Sequence, residues 1–340
     1  MSVKVLVVDD SPTVRAVLRR LLAAHADLAV VAEASNGEEA VQAVLRLAPD
    51  VILMDVEMPV MDGFAAIEHI TRLRPTPILV LTSRANRDRL ATAFEAIRRG
   101  ALEVLPKPAS PGGWEELAQR LPELLRTASR LARAAKPAPA PETPPAVRAR
   151  PVEYLLLGAS TGGPGAVREF LLHLGEEVAA PVAVVQHIAA GFEEGLASWL
   201  AKETQRDVQV LANPETPPPR AVRLAPAGAH LVLQPSGVLA LDNTTPPRGG
   251  HRPSVDVLFA SAVHYRPAHT VAILFSGMGS DGAQGLLALK QAGAVTAVQS
   301  EASAAIFGMP RQALELGAAE VALSPQGLAR FVTQLCGGKR

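Results

Sequence analysis

Gly158-Ala159-Ser160-Thr161-Gly162 follows the apolar run Tyr154-Leu155-Leu156-Leu157. Glycines two positions either side of a serine let a strand turn sharply into a helix and leave the hydroxyl exposed, the geometry of a nucleophile elbow. A serine hydroxyl attacks a carbonyl only when a base takes its proton and a carboxylate orients that base. Among the eight histidines, His25, His69 and His173 fall in amphipathic helical patterns and read as ordinary surface or core residues. His187 ends the apolar run Pro181–Gln186 and is the best base. Two residues compete as the carboxylate. Asp256 lies in the helical pattern Ser254-Val255-Asp256-Val257, and Asp281 lies in Gly277-Met278-Gly279-Ser280-Asp281-Gly282, directly after the strand pattern His269–Phe275. Glycine-rich turns at strand ends allow close approach to a substrate, which favours Asp281. The competing reading of Gly162-Gly163-Pro164-Gly165 is a phosphate-cradling loop at a helix start. No Gly-Lys-Ser/Thr follows, which disfavours a Walker-type nucleotide site.

A second constellation lies in the first half. Asp9 and Asp10 end one strand pattern, Asp55 another, Thr82-Ser83 a third and Lys107 a fourth. In an open α/β sheet the strand C-termini converge on one crevice, so these residues meet. Clustered carboxylates call for a hard cation, and an all-oxygen set suits Mg²⁺. Asp55 is then a nucleophile toward a phosphoryl group, with Lys107 and Thr82 available to its oxygens. Any one strand-end aspartate is equally well read as a helix cap. Five such positions at strand ends make coincidence a poor account of the set.

The elements that carry these residues alternate. Lys4–Val8, Ala29–Ala32, Val51–Met54, Pro77–Leu81 and Leu102–Leu105 read as strands. Thr13–Ala24, Gly37–Leu47, Gly63–Leu73, Arg87–Arg99 and a stretch from Trp114, with a kink expected at Pro122, read as helices. This predicts a flavodoxin-like five-stranded parallel sheet. Glu153–Leu157, Pro181–Gln186, His269–Phe275 and Ala294–Gln299 form a second series, predicting another doubly wound α/β domain with a β-rich insertion over Asp207–Asn243. Between the series, the proline-dense Lys136–Pro145 reads as a linker, and a dozen such residues in polyproline II would span roughly 40 Å. The expected organisation is residues 1–125, a helix extension and linker over 126–151, and a second domain over 152–338.

A length of 340 residues accommodates two such domains. Thirty-three basic residues balance thirty-three acidic ones, so the overall charge attracts neither nucleic acid nor an anionic membrane. Cys336 is the single cysteine, which excludes an intrachain disulfide and fits a reducing compartment. The N-terminal apolar run is too short for a signal segment and no stretch reaches a membrane span, so a soluble cytoplasmic protein is expected.

Val7-Val8-Asp9-Asp10-Ser11, Met54-Asp55-Val56-Glu57-Met58-Pro59 with Met61-Asp62-Gly63, and Leu105-Pro106-Lys107-Pro108 resemble the receiver domain of two-component response regulators. The resemblance implies Asp55 as phospho-acceptor, Asp9, Asp10, Asp55 and the Glu57 carbonyl as Mg²⁺ ligands, Thr82 and Lys107 as switch residues, and a histidine kinase as phosphodonor. Val104 stands where many receivers carry an aromatic switch residue.

The second half, through the Ser160 and Asp281 motifs, Gln186-His187, His251-Arg252-Pro253-Ser254-Val255-Asp256 and Phe307-Gly308-Met309-Pro310, resembles the chemotaxis protein-glutamate methylesterase (CheB) family. That resemblance implies hydrolysis of glutamate γ-methyl esters on chemoreceptor cytoplasmic domains, with glutamine deamidation, for sensory adaptation. It implies Ser160 as nucleophile, His187 as base, Asp281 as its orienter, and the Met278 N–H as oxyanion donor. Thr161, His251 and Arg252 then line the site, although a purely structural role for the His-Arg-Pro segment stands beside this. It further implies that the first domain restrains the second, that the esterase site needs no cofactor, and that the protein is a monomer. The alternatives are a phospho-regulated binding module, which should have lost a triad member, and an esterase for a non-receptor substrate, which calls for a large apolar acyl pocket.

Overall fold

Val3–Val8 (β1) and Val51–Met54 (β3) are apolar almost throughout and buried along nearly their whole length, as inner strands of a parallel sheet covered on both faces must be. The computed structural model describes residues 2–83, 87–133, 142, 144, 145 and 147–337. The chain divides into two units, Met1–Ala135 and Lys136–Arg340.

In the first unit, β1, β2 (Leu28–Ala34), β3, β4 (Ile78–Ser83) and β5 (Glu103–Lys107) pair in the order β2-β1-β3-β4-β5, all parallel. The intervening helices are α1 (Pro12–Ala23), α2 (Gly37–Leu47), α3 (Gly63–Leu73), α4 (Arg87–Arg98) and α5 (Pro111–Arg133). Ser11, rather than Asp9 or Asp10, caps α1, and Asp62, beyond the strand end, caps α3 by accepting the Ala65 N–H at 2.8 Å. His25, expected on a helix, instead lies in the turn after α1, where its N–H closes on Leu22 O. Helix α5 runs on through Pro122.

In the second unit a seven-stranded parallel sheet has the order β14-β13-β12-β6-β7-β9-β8. Its strands are β6 (Tyr154–Ala159), β7 (Val182–Gln186), β8 (Val208–Val210), β9 (Val222–Leu224), β12 (Thr270–Leu274), β13 (Val295–Gln299) and β14 (Val321–Leu323). Helices α6 (Gly163–His173), α7 (Glu193–Thr204), α8 (Val255–Ala262), α9 (Ala283–Gln291), α10 (Met309–Glu315) and α11 (Pro325–Leu335) accompany them. The Asp207–Asn243 segment divides in two. β8 and β9 extend the main sheet, whereas β10 (His230–Leu233) and β11 (Leu239–Asp242) form a separate antiparallel hairpin.

The chain builds outward from β6, first through β7 toward β8 and β9, then on the other side through β12 to β14. The direction reverses beside β6, and in open sheets that switch point is where ligands bind. Val255, Leu258, Phe259, Leu274, Leu286 and Met309 pack as part of one buried cluster that seats α8, α9 and α10 against these strands.

Most of the Lys136–Pro145 linker lies outside the described residues. Glu142 is described, and it is held on the second unit. Its carboxylate accepts from Ser300 Oγ at 3.1 Å and from the Ser324 N–H at the start of α11, and Arg330 donates to its carbonyl. Among the described residues, no helix is long and apolar enough to cross a membrane.

Candidate active site and candidate phosphorylation site

Ser160, His187 and the Gly277–Asp281 turn follow β6, β7 and β12, the three central strands. Register pairs Ala159 with Gln186, so Ser160 and His187 leave neighbouring strands side by side. The elbow is built from glycine at Gly162, whose φ of 77° puts it in the left-handed region and where a β-carbon would strike Ala305 and Ser276. The Ser160 N–H donates to Ser276 O at 3.0 Å, and Ser276 Oγ donates to Thr161 O at 2.7 Å. Ser276, which sequence reasoning passed over, therefore ties the elbow down from the adjacent strand end.

His187 Nε2 lies 2.9 Å from Asp281 Oδ2. Since an ionised carboxylate only accepts, this bond fixes the proton on Nε2 and leaves Nδ1 as the basic nitrogen of the neutral ring. Nδ1 is buried and has no hydrogen-bond partner. The ring is thus reversed relative to the chymotrypsin arrangement, in which Nδ1 faces the aspartate. His251 stacks on the same imidazole, with ring centroids 3.9 Å apart and planes within 5°.

Asp281 sits at the N-terminus of α8. It accepts from Val255 N–H at 2.7 Å, Asp256 N–H at 3.0 Å, Ser254 Oγ at 2.7 Å and His187. Burial pushes its pKa up, but the bonds from His187, the Asp256 N–H and Ser254 outweigh this and hold it at about 2. The rival Asp256, in the first turn of α8, turns the other way. It accepts the Gly285 N–H of α9 at 2.7 Å and pairs with Arg248 at 3.5 Å. Burial, aided by the charge of Asp281, raises its pKa. Each helix start is thus held by the acid that belongs to the other.

The Met278 N–H makes no hydrogen bond among the described residues, while Gly277 O accepts from Gly308 and Met309 N–H at 3.1 and 2.9 Å. Phe307-Gly308-Met309 therefore pins the Gly277–Gly279 turn from below. Thr161 is buried beside Ser160. Arg252 reaches Thr245 O at 3.5 Å rather than any of Ser160, His187 or Asp281. His230, fully buried, accepts the Ser254 N–H on Nδ1 and faces Pro246 O with Nε2, a satisfied core histidine.

In the first unit the crevice falls at the β1/β3 switch point. Asp9, Asp10 and Asp55 present oxygens within 4.8 Å of one another. Lys107 Nζ bridges Asp9 Oδ2 at 2.8 Å and Asp55 Oδ2 at 2.6 Å. Asp55 Oδ1 accepts the N–H groups of Val56 and Glu57. Burial raises the Asp55 pKa, with the Asp9 charge adding to it and Lys107 opposing it. Burial pulls Lys107 down, but its bonds to Asp55 and Asp9 prevail and raise it. Thr82 is buried at the end of β4, one residue from the Ser83–Lys107 register pair. Three converging carboxylates form an all-oxygen donor set that fits Mg²⁺.

A family model described as CheB methylesterase matches residues 155–332, and one described as response regulator receiver domain matches residues 5–120. A protein-glutamate methylesterase/protein-glutamine glutaminase of Geobacter metallireducens is 40% identical over 98% of this chain and 99% of its own length. One of Anaeromyxobacter dehalogenans is also 40% identical, over 98% of this chain and 97% of its own. The solved CheB methylesterase catalytic domain of Thermotoga maritima is 28% identical, with a TM-score of 0.51, covering 55% of this chain and 99% of that structure.

Proposed function

Because the chain belongs to the CheB methylesterase family and carries a receiver domain, we propose that it hydrolyses glutamate γ-methyl esters on chemoreceptor cytoplasmic domains under control of phosphorylation at Asp55. The observation that carries this reading is the His187–Asp281 pair, which fixes the tautomer and leaves Nδ1 buried and unpaired on a residue that leaves β7 next to the serine leaving β6.

Ser160 Oγ attacks the ester carbonyl carbon while His187 Nδ1 takes its proton, and the electron pair of the C=O π bond moves to oxygen. The Met278 N–H meets that oxyanion. Asp281 stays ionised and stabilises the imidazolium. Collapse of the intermediate breaks the bond to the methoxy oxygen, which takes the proton from His187 and leaves as methanol. Water, deprotonated by the same nitrogen, then cleaves the glutamyl-serine ester and releases glutamate. With a glutamine side chain the leaving group is ammonia, which matches the second activity named for the relatives. Thr161 and His251 border the reacting groups, His251 by covering one face of the base.

In the receiver, residues 1–125 of the proposed organisation, Asp9, Asp10, Asp55 and the Glu57 carbonyl would hold Mg²⁺, which would supply positive charge against the phosphoryl oxygens. The Asp55 carboxylate takes the phosphoryl group from a kinase phosphohistidine, whose nitrogen keeps the electron pair of the broken P–N bond. Lys107 and Thr82 hold the new oxygens. Residues 126–151 join this domain to the esterase at 152–338.

The direct test is methanol release from methylated receptor membranes. Ser160→Ala is expected to lower turnover by on the order of 10⁴–10⁶ while leaving the fold intact. Retention of more than about a tenth of wild-type turnover would break the assignment of Ser160 as the nucleophile.

A further inference from the structure

We propose that Gln186 is a positioning residue that holds the nucleophile and the base at a fixed separation through a single amide group. The inference rests on the reading of Ser160 and His187 as the reacting pair.

Gln186 is the last residue of β7 and is 5% exposed. Its side chain turns back onto the backbone of both reacting residues. Nε2 donates to Ser160 O at 2.8 Å and to His187 O at 2.9 Å. An amide NH₂ carries two hydrogens, so both are used. The identity of the atom is dictated by its surroundings, since an oxygen between two carbonyl oxygens would meet only repulsion.

The other half of the amide is equally constrained. Gln186 Oε1 is buried with no hydrogen-bond partner, and it lies where a β-carbon on Gly163 would collide with it. An unpaired buried acceptor costs free energy, and a polar side chain placed there despite that cost has its purpose in the NH₂ end. A glycine at the first position of α6 is what makes room for it.

The consequence follows from the bonds around the clamp. The Ser160 peptide is fixed at its N–H by Ser276 O, and at its carbonyl by Gln186 and the Gly163 N–H at 2.8 Å. The His187 N–H is fixed by Ala159 O at 2.9 Å, and its carbonyl by Gln186. Without Gln186 the Ser160 peptide keeps its bonds to Ser276 and Gly163, and the His187 N–H keeps its bond to Ala159. The His187 carbonyl loses its anchor and the tie between the two carbonyls is gone, so the base can shift relative to the serine. Proton transfer between a serine and an imidazole is steep in distance, and a displacement of about 1 Å costs roughly 10²-fold in rate. Substrate binding does not depend on that separation.

The experiment uses the full chain with Gln186→Met, which keeps the shape and removes both donors, and Gln186→Glu, which sets an oxygen between the two carbonyls. Methanol release from methylated receptor membranes gives kcat and KM, and the rate of Ser160 labelling by a fluorophosphonate reads the nucleophile without receptor. Gln186→Met is expected to lower kcat and the labelling rate together by about 10–100-fold with KM within about twofold, and Gln186→Glu to lower both further. A merely structural role would lower the melting temperature and leave kcat per labelled site unchanged. That result, or a loss confined to KM, overturns the proposal. Ser160→Ala run alongside separates the two failures: if it stays active the Ser160 reading is wrong, and if it is inactive while the Gln186 variants turn over normally, only the clamp is wrong.

Discussion

Both units place a buried aspartate at the C-terminal edge of a parallel sheet, beside a switch point, yet they treat its charge in opposite ways. Asp55 faces another carboxylate, Asp9, and the two share one ammonium group. Its ionised form is the costly one, and its pKa is raised. Asp281 faces the N-terminus of α8 and receives two backbone N–H groups, a hydroxyl and an imidazole. Its ionised form is the favoured one, and its pKa is lowered to about 2. A carboxylate that has three donors but keeps a lone-pair site open, beside a second negative charge, is suited to attack phosphorus. One whose lone pairs are all engaged is suited to hold a base and remain chemically inert. On the proposed roles, the environment rather than the residue type divides nucleophile from orienter.

The largest expected effect is at Asp55. Asp55→Asn should abolish phosphoryl incorporation from a small-molecule phosphodonor, and omission of the divalent cation should do the same to the wild type. Incorporation into the Asn variant would remove Asp55 from the comparison altogether. Next, Asp281→Asn should lower turnover by roughly 10⁴-fold, because an amide can present N–H to His187 and upset its tautomer. Asp256→Asn should cost less than about tenfold, since that acid serves α9 and not the base. The reverse ranking, read by methanol release, would mean that the wrong carboxylate has been assigned.

Stability should separate the two acids by sign. Raised in the folded state, Asp55 costs stability when ionised. Asp55→Asn should therefore raise the melting temperature at neutral pH, with the gain closing as pH falls to the ordinary value of 3.8. For Asp281, lowered in the folded state, stabilisation is present above 3.8 and lost as pH falls through about 2. Asp281→Asn should accordingly be destabilising at neutral pH, with the deficit shrinking in acid. Melting curves across pH showing the same sign for both would undo the contrast. Smallest of all, Ser254→Ala removes both the α8 cap and one donor to Asp281, and should cost about 1 kcal/mol in denaturant titrations.

Much of this was legible from residues alone, because strand-end positions in a parallel sheet converge by topology. Asp9, Asp10, Asp55 and Lys107 could be grouped without coordinates, as could Ser160, His187 and Asp281. The choice of Asp281 over Asp256 rested on glycine content, whereas the geometry rests on which helix start each acid reaches, a property with no local signal. Gln186 was visible only as the neighbour of His187, since nothing in a sequence tells that a side chain folds back onto two carbonyls. His251 was read as lining the site, and its parallel stacking on His187 depends on the long path through β10 and β11. Strands β8, β9 and β14 have three residues each, too few to display a period.

The exchange of acids between α8 and α9 also has a meaning in time. As the chain is synthesised, Ser160 and His187 emerge well before either helix, and β6 and β7 can pair at once. Asp281 finds its four donors only when α8 has formed, and Asp256 steadies that helix only when α9 has arrived to receive it. A nascent or truncated chain therefore carries a nucleophile and a base with no fixed tautomer. Hydrolytic competence is expected only once Asp281 has been made and the sheet has closed around β12.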